Sequence, residues 1–245
     1  MHPDNLTHHD IEKVCYKLGW QPSYDIFRGL ENIVALTGIN HLAFITHDLE
    51  ATIRFYRDLL GLTLEAGVGH DGYRHYFFRA GEAQIAFFAY EGAQSMNPKP
   101  HGSPSRQPLG FDHVSMTCES RADLFAAKDR LEAAGFDVSG AVDHGTMWSI
   151  YFYDPNNIPL EISWDILKIT QPPAVADDLP LAIVAEGAEP QPGHWPEVTN
   201  PTPVEQMTAH AGNGYQMRDA ALLERRGDYL PEYRTLITKT PSAAE

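Results

Sequence analysis

The feature that most constrains this chain is that its middle repeats itself. Gly38-Ile39-Asn40-His41-Leu42-Ala43-Phe44 returns 72 positions later as Gly110-Phe111-Asp112-His113-Val114-Ser115-Met116. Each copy runs into a helical pattern of apolar residues at spacings of three and four: Leu49, Ile53, Tyr56 and Leu60, then Leu124, Ala127, Leu131 and Ala134. Each helix has a start signal, Asp48 in one and Ser120 with Asp123 in the other. Each closes on a glycine, Gly61 and Gly135. Strand-like segments follow, His75–Arg79 and Ala83–Tyr90 first, then Trp148–Tyr153 and Pro159–Trp164. The unit reads β-α-β-β-β and occurs twice. An internal duplication fixes the architecture before any other signal does. The expected fold is α+β: two tandem βαβββ units in a curved, mainly antiparallel sheet around a cleft, with helices on its outer side.

Texture divides the 245 residues into an N-terminal extension (1–35), the duplicated domain (36–168, with units 36–92 and 108–168) and a C-terminal extension (169–245). The first contains a helix-like stretch, Asp10 to Leu18. The last holds ten of the eighteen prolines and reads as an irregular wrap or lid. Its aromatics, Trp195, Tyr215, Tyr229 and Tyr233, are expected to pack. Part of 190–216 is expected to cover the cleft.

Charge and cysteine usage narrow the partners. Lys plus Arg number 18 against 33 Asp plus Glu, a net charge of -15 that repels polyphosphate and argues against nucleic acid. No stretch approaches the roughly 18 uninterrupted apolar residues of a membrane helix. The start, Met1-His2-Pro3-Asp4-Asn5, lacks the pattern of a secretory signal. Cys15 and Cys118 cannot make a disulfide framework and read as reduced thiols of a cytoplasmic protein.

Strand alternation shows which polar residues share a face. His41, Ala43 and Ile45 lie together in the first repeat strand, and His113, Ser115 and Thr117 in the second. In the last strand Glu161 and Ser163 oppose Leu160 and Ile162. If helices cover the apolar faces, His41, His113 and Glu161 converge inside the sheet's concavity. Two imidazoles and a carboxylate with open positions suit a divalent metal, in the facial arrangement used by non-haem Fe(II) oxygenases. Either histidine alone is more often a hydrogen-bonded strand residue; matching places in a duplicated unit favour the ligand reading. On their local surroundings alone, His144 in Asp143-His144-Gly145 reads as an exposed loop residue and Tyr151 as ordinary strand packing.

With these residues in place, 36–168 resembles the vicinal oxygen chelate superfamily of glyoxalases, bleomycin-resistance proteins and extradiol dioxygenases. It is most similar to the ring-cleaving extradiol dioxygenases. Their C-terminal motif is matched by Val142-Asp143-His144, five residues, Ile150-Tyr151, Phe152-Tyr153, Asp154-Pro155, Asn156, Asn157 and, after three residues, Glu161. Asn157 stands where Gly is usual, and Asn tolerates the left-handed turn better than most residues. The resemblance implies iron ligands at His41, His113 and Glu161, an acid–base histidine at His144 and a substrate-binding tyrosine at Tyr151. It implies Fe(II), with Mn(II) also accepted by this ligand set, a small aromatic substrate, O2 and a homo-oligomer. The rival reading is a metal-dependent lyase, isomerase or transferase of the same superfamily. Glyoxalase-type sites use a fourth ligand at the end of the first unit, where Ala86 stands opposite Glu161 in the repeat alignment. A metal-free binding protein is the third reading.

Overall fold

The computed structural model describes residues 36–70, 72–104, 111–191, 193–212 and 226–234. The expected helix over Asp10–Leu18, with Cys15, lies outside them, as do Tyr215 and part of the expected cover over 190–216. Among the described residues, Gly38–Lys168 belongs to one compact unit and Ile169–Thr208 to another.

The first repeat opens with β1 (His41–Thr46), exposed and half-buried by turns as a strand with one covered face must be. Asp48 caps the next helix, its carboxylate accepting from Ala51 N at 3.0 Å. That helix, α1 (Leu49–Ile53), widens into a π-helical turn over Arg54–Leu59. The wider turn reduces the angular step between neighbours, so Phe55 and Tyr56 can both face inward. Both are buried, at 3% and 0% exposure. Three strands complete the repeat: β2 (Thr63–His70), β3 (Tyr73–Ala80) and β4 (Ala83–Tyr90). β2 is poor in bulky residues and interrupted by a bulge at Glu65, which is why its pattern was not legible. Its Gly67 is required, because a Cβ there would meet the Tyr76 ring at 2.6 Å.

The second repeat follows the same plan with β5 (Val114–Thr117), α2 (Arg121–Ala133), β6 (Val142–Asp143), β7 (Met147–Tyr153) and β8 (Pro159–Asp165). Each repeat makes its own four-stranded mixed sheet, ordered β1-β4-β3-β2 and β5-β8-β7-β6. The first strand of each pairs parallel with the last, and the other pairs are antiparallel.

The α+β class and the doubled βαβββ unit are therefore present, but the arrangement differs from one sheet curved around a cleft. A single apolar core takes Phe78, Ile85 and Phe87 from the first sheet, Ile150, Phe152, Leu160 and Ile162 from the second, and Leu124 and Leu131 from α2. Tyr56 packs on Phe87 at 4.8 Å between ring centres, while Phe55 meets Phe136 at 4.9 Å and Phe152 at 6.3 Å. Both sheets turn their apolar faces to this core, and their polar faces point outward, away from it. Burial of large apolar rings at roughly 25 cal/mol per Å² makes that choice dominant over any convergence of the polar faces.

The described residues of 169–208 contain two short 3₁₀ turns, Ala182–Glu186 and Val204–Gln206. Of the tail's aromatics, Trp195 is 86% exposed, while Tyr229 and Tyr233 meet each other at 5.5 Å. No helix among the described residues is long and apolar enough to cross a membrane.

Candidate metal centre

The outer face of the second sheet is built around one buried carboxylate. β8 register places Glu161 between Ser115 of β5 and Tyr151 of β7, with Ser163 between Thr117 and Ser149. Glu161 is 4% exposed. Burial alone would push its carboxyl upward, but the hydroxyls of Ser149, Ser163, Ser115 and Tyr151 more than offset that and hold it below its ordinary value. The serines also bond to one another, Ser163 Oγ lying 2.7 Å from Ser115 Oγ and 3.1 Å from Ser149 Oγ.

His113, just before β5, faces the same carboxylate, its Nε2 2.8 Å from Glu161 Oε2. The opposite ring nitrogen, Nδ1, lies 2.6 Å from Asp112 Oδ1. Each ring nitrogen therefore faces a carboxylate oxygen, and a ring that gives its hydrogen to Asp112 leaves the Nε2 lone pair beside Glu161. Two electron-pair donors, one of them anionic, thus converge with nothing but a cation able to join them. A divalent metal meets that need with the donor set such ions prefer. His113 and Glu161 fit a metal.

Asp112 is itself gripped. It accepts from Lys99 Nζ at 2.5 Å and from Gly102 N at 3.0 Å. The Lys99 ammonium, the Gly102 amide and His113 together hold its carboxyl well below the usual carboxylate range. The segment carrying Lys99 lies against the β7–β8 end: Met96 N donates to Asn156 O at 2.8 Å, Asn157 Nδ2 to Met96 O at 2.8 Å, and the Tyr153 hydroxyl to Lys99 O at 2.6 Å.

Tyr151 and His144 stand beside the pair. Tyr151 Oη is 2.8 Å from His144 Nε2, across the β6–β7 turn that Gly145 N closes onto Asp143. Burial, and then the Glu161 charge and the bond to it, push the Tyr151 phenol up to about 12. A phenol has one hydrogen, so Tyr151 donates toward Glu161 and accepts from His144 Nε2–H. His101 completes this face, its ring 4.9 Å from that of Tyr151, 4.8 Å from Tyr153 and 5.9 Å from His113. Burial first, then His113, lower the His101 pKa.

Of the residues read from sequence, the structure brings His113, Glu161, Tyr151 and His144 together and leaves His41 apart. Among the described residues, no three His, Cys, Asp or Glu side chains of one chain gather as a metal site. His41 is exposed on the outer face of the first sheet, its Nδ1 2.8 Å from Asn40 Oδ1 and its ring edge-on to Phe77 at 5.9 Å. The shared core separates the faces, so the expected convergence does not occur within one copy. Around His41, sheet 1 shows an aromatic surface, with His75 stacked on Phe88 at 3.6 Å and Phe88 on Tyr90 at 5.8 Å. Ala86 pairs with Ala43, the position Glu161 takes opposite Ser115. The repeat therefore supplies one carboxylate where it could have supplied two.

Sequence reading passed over Asp112, Lys99, His101 and Ser149. For Ser149 the signal was present, because it shares parity with Tyr151. Asp112 and Asn40 were visible as polar residues directly before each histidine. Nothing in local spacing brings Lys99 and His101 to this face, since they arrive with the connection between repeats.

Both repeats resemble known proteins. Residues 38–162 match the family model of the Glyoxalase/Bleomycin resistance protein/Dioxygenase superfamily. Glutathione transferase FosA of Serratia marcescens is 27% identical over 135 residues, covering 52% of this chain and 80% of that protein. The uncharacterized protein YaeR of Escherichia coli (strain K12) is 28% identical over 136 residues, covering 53% of this chain and 98% of that one. A crystal structure of a glyoxylase/bleomycin resistance protein/dioxygenase domain from Frankia sp. EAN1pec covers 54% of this chain and 99% of its own at 23% identity, with a TM-score of 0.46. The family match runs through both repeats as far as Ile162. This chain belongs to the glyoxalase/bleomycin resistance protein/dioxygenase superfamily, the vicinal oxygen chelate fold.

Proposed function

We propose that the protein is a divalent-metal-dependent enzyme that rearranges, splits or adds a group to a small molecule binding the metal through two neighbouring oxygens. The observation that carries this reading is the approach of His113 Nε2 and Glu161 Oε2, two donors facing each other at 2.8 Å. His113 and Glu161 of one copy hold the metal, and His41 of a second copy supplies the third ligand. The single chain sets out the two half-sites on separate outward faces, and a partner's first sheet laid against the second sheet makes one whole. A bound divalent metal polarises a chelated substrate oxygen and lowers the acidity barrier at the neighbouring carbon or hydroxyl. Mn(II) and Fe(II) both suit two imidazoles and a carboxylate.

The chain's own groups define the rest. Tyr151 stays protonated through neutral pH, and once a metal engages Glu161 its single hydrogen would turn from that carboxylate to a substrate oxygen. His144, bonded to it, takes or returns a proton at that oxygen. Glu161, buried among serine hydroxyls that hold its carboxyl below the ordinary value, keeps its charge. The lyase, isomerase or transferase assignment draws support from the 27% identity to a glutathione transferase. Ring cleavage of an aromatic diol with O2 is the second reading, favoured by the His144–Tyr151 bond beside Glu161 and by the aromatic surface around His41.

Anaerobic loading with Mn(II) or Fe(II), followed by turnover on thiol, epoxide, α-hydroxycarbonyl and catechol panels with O2 uptake recorded, tests both. Product without O2 uptake supports group transfer or isomerisation. Uptake stoichiometric with a ring-opened product establishes the second reading instead. Failure to bind either metal removes both. Sharing of the site between copies is read by mixing H41A and E161A proteins. Each alone lacks a complete site; random exchange makes about half the dimers mixed, each with one whole site, so about a quarter of all sites recover. No recovery after mixing sinks the shared site.

A further inference from the structure

β2 is an edge strand of the first sheet, and two of its residues on one face carry no side chain. Gly67 and Gly69 stand opposite Tyr76 and Arg74 of β3. A Cβ at Gly67 would meet the Tyr76 ring at 2.6 Å, and one at Gly69 would meet the Arg74 stem at 3.2 Å. The ring and the stem therefore lie along the edge strand, over the glycines. Between them and α1 with its π-helical turn, a cavity of about 400 Å³ stays open. Leu49, Ile53 and Tyr76 give it an apolar lining, and Arg54, Arg57 and Arg74 bring three exposed guanidinium groups to it.

These charges are not all answered. Asp58 accepts from Arg57 at 2.6 and 3.0 Å and from Arg54 at 3.0 Å. Glu50, the carboxylate that lines the cavity, stands 4.0 Å from Arg54. Arg74 has no hydrogen-bond or ion-pair partner among the described residues. Three cations thus face two carboxylates, in a chain whose net charge of -15 otherwise repels anions.

The second repeat shows that the fold does not require this arrangement. Phe77 stands opposite Ala86 as Tyr151 stands opposite Glu161, so Arg74 and Tyr76 occupy the places of Trp148 and Ile150. There Ile150 is fully buried, and Trp148 packs edge-on against Trp164 at 5.8 Å. One copy of the unit fills this face with apolar side chains, and the other leaves it hollow and cationic.

We propose that the cavity is a second small-molecule site, one that binds an organic oxyanion. Arg74 holds its carboxylate or phosphate group, Arg54 and Arg57 flank it, and a short aromatic or apolar body sits against Leu49, Ile53 and Tyr76. A guanidinium fork matches either oxyanion through two-point contact. A mostly apolar hollow with a few placed polar groups is the usual form of such a site. Arg74 and Tyr76 alternate along β3 with His75 and Phe77, so the cavity opens on the other side of the sheet from His41, whose ring meets Phe77. The site is thus independent of the metal centre.

Calorimetric titration of the full-length protein with phenyl phosphate and with benzoate tests the site. Inorganic phosphate controls for charge alone, and benzyl alcohol for the body alone. At least one aromatic anion should bind saturably, at one equivalent per chain, and both controls more weakly. R74A should weaken that binding by about tenfold or more, as the loss of a charged partner does. R74K should weaken it less, since an ammonium keeps the charge without the fork. G67A displaces the Tyr76 ring from its seat while every charge stays, and should weaken binding too. E161Q should bind the anion as the native protein does. Far-UV circular dichroism identifies any variant that has not folded, and R74A, at an exposed position, carries the test if G67A does not fold. Native-like binding in R74A overturns the proposal, as does inorganic phosphate binding as tightly as the aromatic anions. Lost binding in E161Q moves the anion to the metal centre and overturns it equally. So does the absence of saturable binding by both aromatic anions.

Discussion

At the scale of single residues, Asn157 shows how a departure from a motif can be absorbed. It has φ 61, the left-handed region that glycine usually fills, and its side chain donates to Met96 O at 2.8 Å. Asn tolerates this conformation, whereas a β-branched residue does not. Asn157→Val should lower stability by about 1–2 kcal/mol, measured as a shift in the denaturant midpoint at constant slope. Ser163 is the hub of the serine group beneath Glu161, shared by Ser115 and Ser149. Ser163→Ala leaves two hydroxyls without their common partner and should cost about 1–2 kcal/mol; no measurable change would mean that they re-pair with each other. The turn at Asn157 was readable from sequence because its chemistry is local. The serine group was half readable: alternation puts Ser115 and Ser163 on the right faces and Ser149 on the face of Tyr151, but the β7–β8 register is what sets Ser149 beside Ser163.

At the scale of elements, repeat and capping signals located β1, α1, β5 and α2 because each carries its own pattern. β2 and β6 were missed, one for its glycines and bulge, the other because two residues hold no period. Sheet pairing was not legible at all, since whether two units share one sheet depends on which faces bury most apolar surface. The answer is visible in the polar plug between the repeats. Asn156, in the β7–β8 turn, receives Thr46 Oγ1 at 2.8 Å and donates to Thr52 and Asp154, while Tyr56 donates to Asp154 at 3.3 Å. Burial raises the Asp154 pKa above its ordinary value, against the hydrogen bonds from Asn156, Ile158 and Tyr56. A raised folded-state value means that the protonated form is the one folding favours. The contribution of Asp154 is fully present below the ordinary carboxylate range and is lost as pH rises through its folded value. Subtracting the stability-versus-pH curve of Asp154→Asn from that of the native protein should show a difference that falls with rising pH over this window. A flat difference would remove the assignment.

At the scale of the whole molecule, the two outward faces differ in character. One is a polar well around Glu161, and the other is an aromatic surface with Ile45 54% and Tyr90 44% exposed. Such a pairing of faces suits self-association, in which each copy presents both halves. Dilution should therefore lower the apparent thermal stability and the Mn(II) affinity together; a midpoint and an affinity independent of protein concentration over a hundredfold range would argue for a self-sufficient monomer. The connection from the first sheet to the second carries a separate consequence. Loops between elements ordinarily accept insertions and deletions freely. Between Met96 and Gly102 this one is held at both ends and in the middle, and Lys99 reaches Asp112 only in its present register. Its length is thus under the same constraint as a ligand's identity: across relatives that keep Asp112, size variation should be excluded from this stretch, and a one-residue deletion here should act on the metal site from outside it.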